Sequence, residues 1–397
     1  RRLVRPRMTP RLQIDRLSDE RRTLVICPTL LTAPEQALAM ARRLSILHQA
    51  NPDPNLHFLL LGDPQESLTE TLATDAEIVR TAATAVQALR EDTGHPFFYL
   101  HRARMLNPSD HLYMSRERKR GGVETVLKLI EGQPVEDAFL FCSCPKDEWR
   151  GQYRYVITLD SDTLLPPGSA LRLVGAMAHP LQRFEKRKDG HRGVAVIQPR
   201  MSTLPHAIGS RLALLLGGSG GAEPYNALTS ELWQDLLGRG TFVGKGIIDP
   251  KAFLALTEGR IAPNSVLSHD LLEGELTGCR QANDIVLYES HPPTLKGWLL
   301  RLHRWTRGDW QLLPYLLPLG MGDGLDGTAK HKMWGNLLRS VWPLCKLLLL
   351  IYAAAAGRPW LLAAALLADE LPLTRDSLTG LPIRLMLMPC TACIQAD

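Results

Sequence analysis

The chain has 397 residues, 45% of them apolar, and 46 basic against 41 acidic side chains give it a net charge of +5. That apolar share excludes a disordered or fibrous chain and supplies a sizeable core, either one large domain with appendages or two to three smaller ones. The mild basic excess is interspersed with acids and shows no aromatic-basic stripe, so it does not require nucleic acid; an anionic lipid surface or a nucleotide diphosphate suits it equally.

Residues 1–22 are basic and unpatterned and read as a linker; the opening Arg-Arg-Leu-Val-Arg, without Met, reads as an internal start. The apolar run at 23–28 predicts a buried strand, and 33–48 an amphipathic helix with Pro34 at its start. A second strand at 56–61 ends at Gly62-Asp63-Pro64, a helix follows over about 68–92, and a third strand spans 96–101. Strand and helix alternating in this way predict an α/β domain with a mainly parallel sheet. Further on come a helix at 117–131, a strongly apolar strand at 155–160, a helix at 168–179, a charged loop at 181–192 and a strand at 193–199. Residues 217–222 are glycine-rich. From Val341 to Leu367 the chain is almost wholly apolar, broken at Gly357-Arg358-Pro359. Neither half reaches the about 20 apolar residues of a clean bilayer span, so a kinked span, a re-entrant pair or a buried hairpin all fit. Seven scattered cysteines, with Cys390 and Cys393 in a lone CxxC, point to a reducing compartment rather than a disulfide scaffold.

Three motifs carry chemistry. The strand at 155–160 delivers Asp160-Ser161-Asp162 to its carboxyl end, where open α/β sheets bind ligands. Two carboxylates so close repel unless a cation lies between them, and a divalent ion carrying a diphosphate fills that need; solvated loop acids are the plain alternative. Ser268-His269-Asp270-Leu-Leu-Glu273 puts Asp270 and Glu273 at i, i+3, one of them a candidate general base, unless the segment only caps a helix. Arg301-Leu-His303-Arg304-Trp305-Thr-Arg307-Gly-Asp309-Trp310 alternates phosphate-gripping arginines with sugar-stacking or interfacial tryptophans; a basic helix lying on lipid reads the same way. Two weaker features support these: Arg116-Glu-Arg-Lys119-Arg120-Gly121-Gly122, suited to a phosphate, and Gly240-Thr-Phe-Val-Gly244-Lys245-Gly246, which allows close backbone approach but lacks P-loop spacing.

In order, Asp63, Lys-Arg-Gly, DSD, GTFVGKG, SHDLLEG and RLHRW resemble the parts of processive, membrane-bound GT-A glycosyltransferases such as cellulose and hyaluronan synthases. Arg301, Arg304 and Trp305 match their (Q/R)xxRW motif, and Asp270 their third Asp. ERKRG, TLDSDT, FVGKGI, SHDLLEG and HRWTRGDWQ are closer still to the glycosyltransferase domain of cyclic β-1,2-glucan synthases, over about residues 20–315. The resemblance implies a GT-A mixed sheet flanked by helices at 23–315, a membrane-associated segment at 316–375 and an atypical tail at 376–397. It implies inverting glucose transfer from UDP-glucose to a β-1,2-glucan acceptor with Mg²⁺ or Mn²⁺, at the bacterial inner membrane with the catalytic domain in the cytoplasm. Asp160 and Asp162 would hold the metal. Those two, with Asp63, Lys119, Arg120, Arg301, Arg304 and Trp305, would bind the donor; Gly244, Lys245 and Trp305 the acceptor; Asp270 would be the base. The family's phosphorylase-like and further membrane parts have no counterpart in these 397 residues. The rivals are a non-catalytic membrane-bound fragment and a glycoside phosphorylase, which needs a sugar-cleaving acid outside these motifs.

Overall fold

The computed structural model describes residues 6–108, 110–135, 138–187, 190–203, 231–263, 265, 270–290, 292, 294–317, 321–322, 324–367 and 387–393. The glycine-rich stretch at 217–222, Ser268, His269 and most of the tail lie outside them. The chain divides into two units: residues 1–200, 228–265 and 269–288 form the first, and 201–227, 266–268 and 289–397 the second.

The first unit is built on an eight-stranded mixed sheet. Its strands and helices run β1 (Thr23–Leu31), α1 (Pro34–Ala50), β2 (Leu56–Pro64), α2 (Asp75–Thr93), β3 (Phe97–Arg102), a small hairpin of β4 (Met105–Asn107) and β5 (Leu112–Met114), α3 (Arg118–Ile130), β6 (Phe139–Cys142), β7 (Tyr155–Thr158), α4 (Ser169–Met177), a hairpin of β8 (Glu185–Arg187) and β9 (Gly190–Arg192), β10 (Val196–Thr203), α5 (Leu232–Leu237), β11 (Gly246–Ile248), α6 (Pro250–Thr257), α7 (Asp270–Thr277) and β12 (Arg280–Glu289). The sheet order is β12-β10-β11-β7-β1-β2-β3-β6. The four central strands are parallel, while β11 on β7, β10 on β11 and β6 on β3 are antiparallel. The expected mainly parallel sheet is thus parallel at its centre and antiparallel toward both edges. Helices flank it as expected, and the α/β assignment holds.

The central strands are apolar throughout because both faces are covered. β1 buries eight of its nine residues and β7 all four. Leu24, Ile26, Leu59, Leu61, Val126, Ile130 and Val156 share one cluster, which joins the sheet to α3. Register then sets where the polar residues emerge. Ile26 pairs with Leu59 and Thr158, and Leu30 with Asp63. The Leu159 amide donates to the Ile26 carbonyl at 3.0 Å, carrying the ladder one residue past β7. Asp63 and Asp160 therefore both leave the sheet at the carboxyl ends of parallel strands, where open α/β sheets bind ligands.

Residues 6–22, expected as a linker, lie along this unit. Leu17 is buried, its amide donates to Asp53 at 2.9 Å, and the Thr9 hydroxyl donates to the Gln281 carbonyl at 2.6 Å. The charged loop expected at 181–192 contains the β8–β9 hairpin.

The second unit is helical: α8 (Leu295–Gln311), α9 (Leu313–Leu316), α10 (Gly327–Ala355) and α11 (Pro359–Leu367). Residues 387–393 add a short helix. Asp309 near the end of α8 accepts from Asn336 and Arg339 of α10 at 3.1 and 3.3 Å, and the Trp310 indole donates to Ser340 at 3.0 Å. α10 is the one described helix long and apolar enough to cross a bilayer. It begins fourteen residues before the apolar run foreseen at Val341, because Asp326 caps it by accepting from the Ala329 amide at 2.9 Å.

Candidate active site

Four segments distant in sequence meet at the carboxyl end of β7. After Leu159 the chain turns: the Thr163 amide donates to the Asp160 carbonyl at 3.0 Å, and the Asp160 amide to the Thr163 hydroxyl at 3.2 Å. Asp160 and Asp162 are thus part of a turn that follows the strand. Thr163 is fully buried and anchors the turn, while Asp160 and Asp162 are half-buried.

The β11–β7 pairing brings the second segment in. Gly246 lies opposite Thr158, so Lys245 and Gly244 arrive beside Asp160. The Lys245 ammonium is 3.0 Å from Asp160 Oδ2. Lys119, in the first turn of α3, pairs with Asp160 Oδ1 and donates to the Gly244 carbonyl at 2.8 Å. Burial alone raises an acid's pKa; here the Lys119 and Lys245 ammonium groups outweigh it and hold the Asp160 carboxyl far below the usual carboxylate range.

Asp270, at the start of α7, is the fourth member. Gly244 has φ +78°, and a Cβ built there stands 2.7 Å from Asp270 Oδ2. Only glycine tolerates both the left-handed backbone and this approach. Burial pushes the Asp270 carboxyl up; Lys119 and Lys245 pull it back, and Asp160 adds to the rise. One turn on, Glu273 is 6% exposed and pushed up to about 8, by burial first and by Asp270 second, against the opposing pull of Arg120.

Asp63 joins the same sheet edge through Arg102, a residue the sequence did not single out. Arg102 Nη1 is 3.0 Å from Asp63 Oδ1, and the same guanidinium donates to the carbonyls of Arg116 and Arg118. It thereby fastens the Glu-Arg-Lys-Arg segment to β2. Glu117 and Arg118 have φ of +57° and +46°, a region that costs an L residue about 1–2 kcal/mol. The Arg102 bonds hold that strained bend, and the bend places Lys119 next to it. Arg120, expected on the donor, pairs with Glu117 at 2.6 Å and Glu124 at 2.9 Å. Lys245, expected on the acceptor, sits on Asp160, the carboxylate expected for metal and donor.

Arg301, Arg304 and Trp305 all lie on α8, in the second unit. Arg301 is over the Trp305 ring, with its guanidinium carbon 5.9 Å from the centroid. Arg304 is exposed and Trp305 half-buried.

Among the described residues no group of three or more His, Cys, Asp or Glu side chains could hold a metal ion. Asp160 and Asp162 are two carboxylates in one turn, and both Asp160 oxygens face lysines. A hard divalent cation at a nucleotide site takes one or two carboxylates and completes its shell with phosphate oxygens and water.

In sequence, 34% identity over 340 residues links the chain to the cyclic β-(1,2)-glucan synthase NdvB of Rhizobium meliloti (strain 1021). The chain is a relative of that synthase. The match takes in 83% of this chain but 12% of the synthase, so the chain spans about an eighth of the relative's length. No protein-family model matches the chain. Among solved structures, the mannosyltransferase PcManGT from Pyrobaculum calidifontis, in complex with GDP-Man and Mn²⁺, aligns over 96% of this chain and 87% of its own at 14% identity and a TM-score of 0.47. Glucosyl-3-phosphoglycerate synthase from Mycobacterium tuberculosis, in complex with Mg²⁺ and uridine diphosphate, aligns over 80% and 79% at 13% identity and a TM-score of 0.29.

Proposed function

We propose that the chain is an inverting, membrane-associated glycosyltransferase that moves glucose from UDP-glucose onto a growing β-1,2-glucan. One observation carries the reading: Asp160, Lys119, Lys245, Gly244 and Asp270, from four separate segments, converge at the carboxyl end of a parallel strand. Kinship with a cyclic glucan synthase supports the substrate class.

In this mechanism Lys119 and Lys245 grip the diphosphate, and Asp63 seats the nucleoside. Asp160 and Asp162 would hold Mg²⁺ or Mn²⁺, which when bound would neutralise charge on the leaving diphosphate. Gly244 lines the acceptor side. Asp270 takes the proton of the acceptor hydroxyl as its oxygen bonds to the anomeric carbon. The bond from that carbon to the diphosphate oxygen breaks, and UDP departs with the electron pair. A single displacement turns an α-linked donor into a β-linkage. Asp270 suits the task because its raised pKa strengthens it as a base while the flanking lysines keep it ionisable. The work is placed at the inner face of a bacterial cytoplasmic membrane, with lipid as a partner and no nucleic acid.

Detergent-solubilised chain with labelled UDP-glucose and Mg²⁺ or Mn²⁺ is expected to build β-linked glucan, and EDTA to abolish it. Folded protein that neither binds nor uses UDP-glucose overturns the proposal. Turnover of glucan with inorganic phosphate alone replaces it with a phosphorylase.

A further inference from the structure

Asp160 presents two carboxylate oxygens, and each already faces an ammonium group. Lys119 pairs with Oδ1, and Lys245 stands 3.0 Å from Oδ2. Neither lysine is a casual surface neighbour. Lys119 is tied a second time, to the Gly244 carbonyl at 2.8 Å, and its approach is fixed by the left-handed bend at Glu117 and Arg118. Lys245 is 7% exposed and rides between two positive-φ glycines, Gly244 and Gly246, that fit the chain tightly against Asp270 and against the Ile197 carbonyl.

A bare divalent cation seeking Asp160 therefore meets two positive charges within contact distance of its first ligand, where Coulomb repulsion is strong. A nucleoside diphosphate reverses the balance. Its phosphate oxygens form charge-assisted hydrogen bonds with lysines, and ammonium groups drawn to them release the carboxylate. We infer that Lys119 and Lys245 gate Asp160, so that the divalent cation enters only together with a nucleoside diphosphate. The inference rests on the donor-site reading above and adds an order of assembly to it. By linkage, cation and diphosphate raise each other's affinity by one common factor. The gate also keeps the acid site from filling with stray metal between turnovers.

The test is Mn²⁺ binding to the full chain in detergent, read from the free-ion electron paramagnetic resonance signal, alone, with UDP and with UMP. Wild type is expected to bind Mn²⁺ at least about tenfold tighter with UDP than alone, within the usual range of coupling between sites, and UMP to give little of that gain. Lys245→Met is expected to tighten nucleotide-free binding about tenfold and so shrink the coupling, while Lys245→Arg preserves it. Lys119→Gln, at a side chain 34% exposed, changes binding in the same direction and serves if the buried substitution disturbs folding. Equal wild-type affinity with and without UDP overturns the gate and leaves the donor site standing. So does weaker nucleotide-free binding in both neutral variants. No Mn²⁺ binding even with UDP removes the metal-assisted donor site itself, and the gate with it.

Discussion

Between Asp270 and Gly244 there is room for a hydrogen atom and nothing larger. That contact joins the proposed base to the loop that also carries Lys245, so base and diphosphate grip are positioned by one piece of backbone. The Asp270 carboxyl is raised, chiefly by burial, so it is protonated and idle at low pH and is free to accept the acceptor's proton only above its raised pKa. The rate of transfer is therefore expected to climb with pH through that value. Asp270→Asn is expected to lower the rate about 10²–10⁴-fold, the contribution of a positioned base, to flatten this pH limb and to leave UDP binding in place. Near-normal transfer by Asp270→Asn, measured with labelled donor, assigns the proton to another group. Asp270 was singled out in the sequence by the i, i+3 spacing of two acids and by its match to the third Asp of the resembled motif, both local signals. The role of Lys245 was not: its partner lies 85 positions away, and only the antiparallel pairing of β11 with β7 brings them together.

Elements show the same division between local and non-local signals. β1, β2, β3 and β7 were readable because strands buried on both faces are continuous apolar runs. β11 is three residues long and begins with glycine, so nothing in its pattern marks a strand. The bend before α3 uses left-handed Glu117 and Arg118 where a reader expects glycine, and it is held by Arg102 from another strand. Asp270 and Glu273 were read only as lying at helical i, i+3 spacing, and the environment of Glu273 came with the packing of Arg120 and Asp270 near it. That environment carries a prediction for the helix as a whole. Glu273 is raised from its ordinary 4.5 to about 8. A raised acid contributes stability that is fully present below the unfolded value and is lost as pH rises through the folded one. Between pH 4.5 and 8 the cost of ionising this buried side chain therefore grows. Glu273→Gln abolishes that cost, so the thermal midpoint of the variant relative to wild type is expected to rise from pH 5 to pH 8 by at least about 2 °C, roughly the effect of 1 kcal/mol in a domain of this size. A midpoint difference that stays constant across this range places the ionisation of Glu273 elsewhere.

At the scale of the whole molecule, the proposed function includes a membrane, and α10 is the element that bears on it. Its length, 29 residues, exceeds the apolar run because its first half is polar on one side only. Lys332, Asn336 and Ser340 are buried at every fourth position, while Trp334, Leu338 and Trp342 are exposed at the same spacing. Further along, Leu348, Ile351 and Tyr352 are 59%, 58% and 62% exposed. The inward face also carries Met333 and Leu337 and the outward one His331 and Arg339, but large apolar groups turned outward suit lipid better than water, since apolar surface gains nothing from facing solvent. Trp334, Trp342 and Trp360 suit the boundary between tails and headgroups. The alternative is a helix whose outer face is covered by protein. The two separate on substitution. A lysine near the middle of a bilayer span costs about 2.5–3.5 kcal/mol, so Leu348→Lys with Ile351→Lys is expected to shift the chain from the carbonate-washed membrane pellet to the soluble fraction. Arg339→Gln, in the half tied to Asp309, is expected to leave fractionation unchanged and to loosen only the α8–α10 contact. If the double lysine variant stays in the pellet as wild type does, the exposed face of α10 is not what holds this chain to lipid.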